Sequence, residues 1–259
     1  MSKVGGAVKE IYHMDEIAAR DTWLNRLHPL AKLLVTIFYI AMTVSFSKYQ
    51  MAEVLLMAVY PVVLFIVGEV SFSDGIRRMK VVLPLVCFVG VFNPLFDRQP
   101  VVSINGFVVT TGMISMITLM AKGILCVLAS YLLIATTGIE GICYALRMLR
   151  VPAVLVTQIL LTYRYISLLL AEAGRSMDAY SLRAPGQKGV HFKAWGSLAG
   201  GLLLRSMDRA TALYESMTLR GYDGEFFFSR KKVVRGKDIA YLLVWMSIFA
   251  AVKLVAYIL

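Results

Sequence analysis

The chain has 259 residues, 59% of them hydrophobic, and a mean hydropathy of +0.72. Soluble domains lie nearer half apolar, so this composition, with several runs long enough to cross a bilayer, excludes an ordinary soluble domain and predicts a polytopic helical membrane protein. The net charge of +11, from 27 basic and 16 acidic residues, marks cytoplasmic loops in such a protein rather than nucleic-acid binding.

Residues 1–29 are mostly polar and carry no apolar core behind a basic start, which reads as a cytoplasmic arm with a short surface helix rather than a cleavable signal. Leu27-His28-Pro29-Leu30-Ala31-Lys32 leads into a first span, Leu30 to Phe46, with Lys32 placed to snorkel towards the headgroups. Met51 to Val70 forms a second span that contains Pro61 and holds Glu53 and Glu69 near its ends. A loop with Arg77, Arg78 and Lys80 follows. Val81 to Phe96 is a third span, kinked or partly re-entrant at Pro84 and Asn93-Pro94. Asn105-Gly106 between β-branched runs predicts a small hairpin outside the cytoplasm. Met113 to Thr136 is a fourth span with Lys122 inside it. An intramembrane lysine is either functional or a snorkelling or paired group, and both readings stay open.

From Thr137 to Asp238 the character changes. This block holds fifteen basic and eight acidic residues, seven of the eleven net charges, which the positive-inside rule places in the cytoplasm. Pro152 to Ala184 reads as one long helix ending in Leu182-Arg183-Ala184-Pro185-Gly186, since proline disfavours helix at the residue before it. Its first half is apolar enough for a sixth span, but Arg164, Glu172, Arg175 and Asp178 argue against a simple crossing. Gly196 to Gly224 reads as an amphipathic helix. Arg205, Asp208, Arg209, Ala212, Glu215 and Leu219 fall on one face, and Leu203, Met207, Ala210, Leu213, Tyr214 and Met217 on the other. It stops at Leu219-Arg220-Gly221, where glycine suits the left-handed closing residue. Two helices thus each place an arginine at their stop. A cation in a last turn also serves the helix dipole, and the charged faces also fit solvated surfaces or pairs between the two helices. Ile239 to Leu259 is the last span. With the amino terminus inside, five spans put Lys48, Arg98 and the carboxyl terminus outside.

Catalytic patterns are missing from the sequence. It contains no phosphate-binding GxxxxGK[ST], no HExxH, no GxSxG and no CxxC. Cys87, Cys126 and Cys143 are scattered in apolar context, and His13, His28 and His191 are far apart. Neither a cofactor, a metal nor an enzymatic activity is expected. Two long helices tipped with arginine look made to contact another protein. The competing reading is a self-sufficient ion-coupled secondary carrier using Lys122, Glu53 and Glu69.

The stretch from Tyr163-Arg164-Tyr165 through Arg183, then GSLAGGLLLRSMDRATALYESMTLRGYDG, closely resembles the transmembrane component of energy-coupling factor transporters, the cobalt/nickel type above all. The Leu27 to Lys32 lead-in resembles the family's first-helix entry. The resemblance implies an L-shaped, all-α polytopic membrane protein with about five transmembrane helices and long cytoplasmic coupling helices. Its parts would be an amino-terminal arm (1–29), a four-span membrane domain (30–136), a coupling region (137–238) and a last transmembrane helix (239–259). It also implies two ATP-binding-cassette (ABC) ATPase partners, a separate substrate-binding membrane subunit, and a place in a prokaryotic cell membrane. The family's coupling motif is X-Arg-X, often Ala-Arg-Ser or Ala-Arg-Gly. Here Leu182, Arg183 and Ala184, and Leu219, Arg220 and Gly221, stand at those positions, with leucine where alanine is common and Ala184 in place of Ser or Gly.

Overall fold

The computed structural model describes residues 3–47, 50–96, 100–104, 107–187, 189–224 and 234–258. It is an all-α polytopic membrane protein with one small hairpin. The helices are α1 (Lys3–Ala19), α2 (Trp23–Arg26), α3 (Pro29–Ser45), α4 (Met51–Met57), α5 (Val59–Val67), α6 (Phe72–Phe96), α7 (Thr111–Met148), α8 (Ala153–Arg183), α9 (Phe192–Leu219) and α10 (Gly236–Ile258). Strands β1 (Pro100–Ile104) and β2 (Phe107–Thr110) pair antiparallel with Ile104 opposite Phe107. That register is the one a two-residue turn demands, although Asn105 and Gly106 themselves lie outside the described residues. Two compact units are present. One comprises Ile17–Ile142 with Lys232–Leu259, the other Met1–Glu16 with Cys143–Lys231.

Among the described residues, Thr111–Met148, Ala153–Arg183 and Gly236–Ala256 are long and apolar enough to cross a membrane, and Pro29–Ser45 and Met51–Val67 are shorter apolar stretches. Seventeen helical residues span about 25 Å, at the lower limit for a crossing. By length and composition α8 therefore qualifies as well, where the sequence reading set it aside.

The larger unit is built on an aromatic core. Tyr39 stacks on Tyr60 at 4.5 Å, Trp245 meets Tyr60 edge-on at 4.8 Å, and Phe249 lies 5.4–5.7 Å from all three. Such offset and edge-on contacts add to the burial of large rings. The expected second span is two helices, α4 and α5, broken at Ala58. Pro61 explains the break, because it has no N–H for the Met57 carbonyl four residues back. The Tyr39 hydroxyl donates to that carbonyl instead, at 3.1 Å. Tyr39→Phe is expected to cost about 1–2 kcal/mol by orphaning this buried carbonyl. In a Pro61→Ala background the cost should shrink, since alanine at that position brings its own N–H. Thermal unfolding of the four proteins in detergent reads the coupling directly, and simple additivity would remove this explanation of the break.

Two further expectations are corrected. Arg77, Arg78 and Lys80 lie not on a loop but on α6, which starts at Phe72 and runs without interruption through Pro84 and Pro94. Lys32 does not snorkel. It is 3% exposed, and its ammonium donates to the Thr136 carbonyl at 2.7 Å. The cause is Gly138, whose φ of 69° and ψ of 162° break α7 and leave carbonyls at the end of its first segment without helical donors. Lys122 does the same for α3, donating to the Phe46 carbonyl at 2.5 Å and to that of Val44 at 3.4 Å. Helices α3 and α7 thus run antiparallel, each bracing the other's carboxyl end with a lysine.

Asp238 is 5% exposed and ties two distant entries together. One carboxylate oxygen accepts the His28 N–H, the other the Arg235 N–H, each at 2.7 Å. The second bond is the reach-back of a third-position acid to the residue that caps its helix. The first fixes the start of α3, where His28 Nδ1 accepts the Leu30 N–H at 3.2 Å and Leu27, His28, Pro29 and Ala31 are all buried. The Leu27 to Lys32 lead-in is therefore a buried junction between the starts of α3 and α10 and the break in α7.

Candidate docking site at two helix ends

Helix α8 ends where the local sequence forces it to. Arg183 is the last helical residue and Ala184 takes the cap position, with its N–H on the Tyr180 carbonyl at 3.1 Å. Pro185 cannot extend the ladder, and Gly186, at φ 91°, turns the chain. The Tyr180 hydroxyl then holds the loop, donating to Gln187 Oε1 at 3.0 Å and accepting the His191 N–H at 3.3 Å. His191 caps α9 in turn, its Nδ1 accepting the Lys193 N–H. Arg183 thus sits at the last position before a hydrogen-bonded turn.

Helix α9 ends differently. Arg220 is expected in the last turn but occupies the cap position just past it. Gly221, at φ 85°, donates to the Thr218 carbonyl at 2.9 Å, and Tyr222 donates to that of Met217 at 3.0 Å. This paired closure needs the left-handed residue that glycine provides without a steric penalty. It leaves Arg220 projecting from a capped end.

Both tips combine an exposed cation with an exposed apolar neighbour. Leu182 is 82% and Leu219 89% exposed, and Arg183 and Arg220 are exposed beside them. Among the described residues neither arginine side chain has a hydrogen bond or ion pair, so both guanidinium forks are free for an external acceptor. A leucine anchor next to a free guanidinium fits a shallow groove holding a carboxylate.

The helices carrying these tips meet at a charged bridge. Glu172 of α8 accepts from Arg205 of α9 at 2.6 Å and from Arg175 on its own helix. The charged faces therefore include pairs within and between the two helices. Arg183 lies eleven residues beyond Glu172, and Arg220 fifteen beyond Arg205. At 1.5 Å per residue the tips stand on arms of about 17 and 22 Å from the bridge. Nine residues before Glu172, Tyr163 of α8 donates to Asp15 at 2.6 Å, docking α1 on α8.

The apolar face assigned to α9 is largely exposed, with only Leu213 and Met217 half-covered. No residue of α9 is buried, and Leu203, Met207 and Tyr214 are 59–64% exposed. Leu202, Ser206, Leu213, Ser216 and Met217 are among the half-covered ones. Periodicity makes α9 two-faced, yet its ion pair with α8 is made from the charged face, by Arg205. Tyr180 and Glu172, which shape the site, were not singled out as parts of it. A tyrosine one turn before a Pro-Gly stop is the one local signal that could have pointed to the first.

Lys122 belongs to another part of the molecule. Its ammonium is bound to the carbonyls that end α3, a structural use. Lys122→Gln is expected to lower the melting temperature in detergent while leaving the transport activity of the protein that remains folded intact. Loss of transport in a fully folded Lys122→Gln variant would return Lys122 to the list of ion-handling groups.

A family profile described as cobalt transport protein, CbiQ, matches residues 20–232. An uncharacterized protein of Methanocaldococcus jannaschii is 32% identical over 145 residues, 55% of this chain and 50% of that one. The chain thus spans about half the length of that relative. Two proteins named energy-coupling factor transporter transmembrane protein EcfT, from Leuconostoc gelidum and Lactococcus lactis, are each 24% identical, over 258 and 252 residues. These matches cover 90% and 92% of this chain and 94% of each relative.

Proposed function

Since the chain belongs to the CbiQ family of cobalt transport proteins, we propose that it is the non-catalytic transmembrane scaffold of an energy-coupling factor importer. It joins two ABC ATPases to a separate substrate-binding membrane subunit, with cobalt or nickel ion as the cargo. ATP hydrolysis belongs to the partners. The observation that carries the reading is the pair of exposed arginines, Arg183 and Arg220, without a side-chain partner among the described residues, each beside an exposed leucine at a capped helix end. Leu182-Arg183-Ala184 docks in a groove of one ATPase and Leu219-Arg220-Gly221 in a groove of the other. Closure of the ATPase dimer moves the tips, and the arms meeting at Glu172–Arg205 carry that movement towards the membrane part.

The four-part division stated above, the cytoplasmic amino terminus and the coupling region at the inner face of a prokaryotic cell membrane are parts of this proposal. Coverage of 94% of each EcfT relative supports it. The cobalt or nickel assignment rests on the family description and the sequence resemblance.

Affinity purification of the tagged chain from its native membrane, with mass spectrometry, tests the reading. The expected result is recovery of ABC ATPases and a small membrane subunit, with ATP-dependent metal uptake only when all are reconstituted together. Uptake by this chain alone, driven by an ion gradient, would replace the scaffold with the lone-carrier reading.

A further inference from the structure

Within the larger unit, α5 and α10 leave a groove of about 420 Å³ between them. Val63 and Val67 of α5 and Val244 of α10 form its apolar sides, over the nearly buried rings of Tyr241 and Trp245. Its two ends are chemically different. At one, Tyr60 packs edge-on against Trp245 at 4.8 Å, away from Lys237, which alone is charged among the lining residues. At the other stand exposed Lys237, one turn before Tyr241, and half-exposed Trp23, whose ring meets Tyr241 at 6.4 Å. From Lys237 to Val244 the groove follows α10 for about 10 Å.

We propose that this groove holds an anionic phospholipid, with an acyl chain along Tyr241, Val244 and Trp245 and the phosphate beside Lys237. In a membrane protein an apolar channel opening at a tryptophan and a lysine has the polarity profile of a lipid at the headgroup boundary. Charge selects the anionic class. Exposed Arg235, two positions before Lys237, adds a second cation at the start of α10. The one acid next to Lys237 in sequence, Asp238, has both carboxylate oxygens committed to the backbone N–H groups of His28 and Arg235. Exposed Glu69, two positions past Val67, offsets one of these charges and leaves the excess positive. An apolar helix of a partner subunit would fill the channel but give Lys237 no counter-charge.

The tryptophans supply the probe. The chain has three, and Trp23 and Trp245 line the groove while Trp195 lies on α9. The full chain carrying Trp195→Phe is placed in phosphatidylcholine nanodiscs doped with acyl-brominated lipid, and quenching is followed against mole fraction. Brominated phosphatidylglycerol is expected to reach half-maximal quenching at about fivefold lower mole fraction than brominated phosphatidylcholine, from the attraction of near-surface cations for anionic lipid. The gap should vanish in Lys237→Gln/Arg235→Gln and persist in Lys237→Arg. Equal quenching by both headgroups in the parent would mean ordinary boundary lipid and overturn the proposal, as would quenching by neither. Native mass spectrometry of the complete transporter gives the second reading. An anionic phospholipid retained by the wild type and lost with the double variant supports the site. A wild-type complex free of it means that a partner fills the groove, and the proposal fails.

Discussion

Replacing Arg183 and Arg220 together by alanine is expected to strip the ATPases from the purified transporter while the chain itself stays folded and membrane-inserted. Neither side chain has an intramolecular partner among the described residues, so its removal leaves no buried group unsatisfied. All the energy lost is therefore interface energy. An anchoring arginine is worth about 2–4 kcal/mol on truncation, a factor of roughly 30 to 1,000 in affinity. In the proposed docking the two tips serve separate grooves, so their effects are expected to add, and the double variant should fall below recovery in affinity purification. Single variants should keep the complex at reduced occupancy and slow uptake. Arg→Lys at either tip should rescue only in part, because lysine keeps the charge but not the planar fork. Unchanged ATPase recovery and unchanged uptake in the double variant would end the docking role of these ends.

The second large effect concerns stability. Asp238→Ala is expected to destabilise the protein by about 3–5 kcal/mol, because it leaves the His28 and Arg235 N–H groups without acceptors at a buried junction. Asp238→Asn should fall between the two, since its amide presents one acceptor oxygen where the carboxylate presents two. The midpoint of thermal unfolding in detergent should order the proteins as wild type, asparagine, alanine. An asparagine variant as stable as the wild type would mean that only one of the two bonds matters.

What could be read in the sequence was what short-range chemistry decides. The stops at Ala184-Pro185-Gly186 and Gly221 were legible because proline and glycine act on the backbone where they stand. The hairpin was legible because two turn residues separate β-branched runs. The roles of Lys32 and Asp238 were not, because their partners lie 104 and 210 positions away. Lys32 beside an apolar run is indistinguishable from a snorkelling lysine until Gly138 is seen to expose carbonyls next to it. The break at Ala58 was half visible, since Pro61 announced a lost bond but not whether the helix would bend or divide. The early start of α6 was hidden because Arg77, Arg78 and Lys80 read as a loop by charge alone. The exposure of most of the apolar face of α9 was not legible either, since periodicity does not say which face a neighbour will meet.

The two lysines that brace α3 and α7 also make a ruler. Lys32 and Phe46 are fourteen positions apart, and so are Lys122 and Thr136. Each helix is measured off against the other, end to end. Deleting one residue inside either interval would shorten that side by about 1.5 Å and rotate everything beyond it by about 100°. One ammonium or the other would then miss its carbonyl. Lengths of the two intervals are therefore tied, and a change in one is tolerated only with a matching change in the other, however freely the apolar residues between them are exchanged.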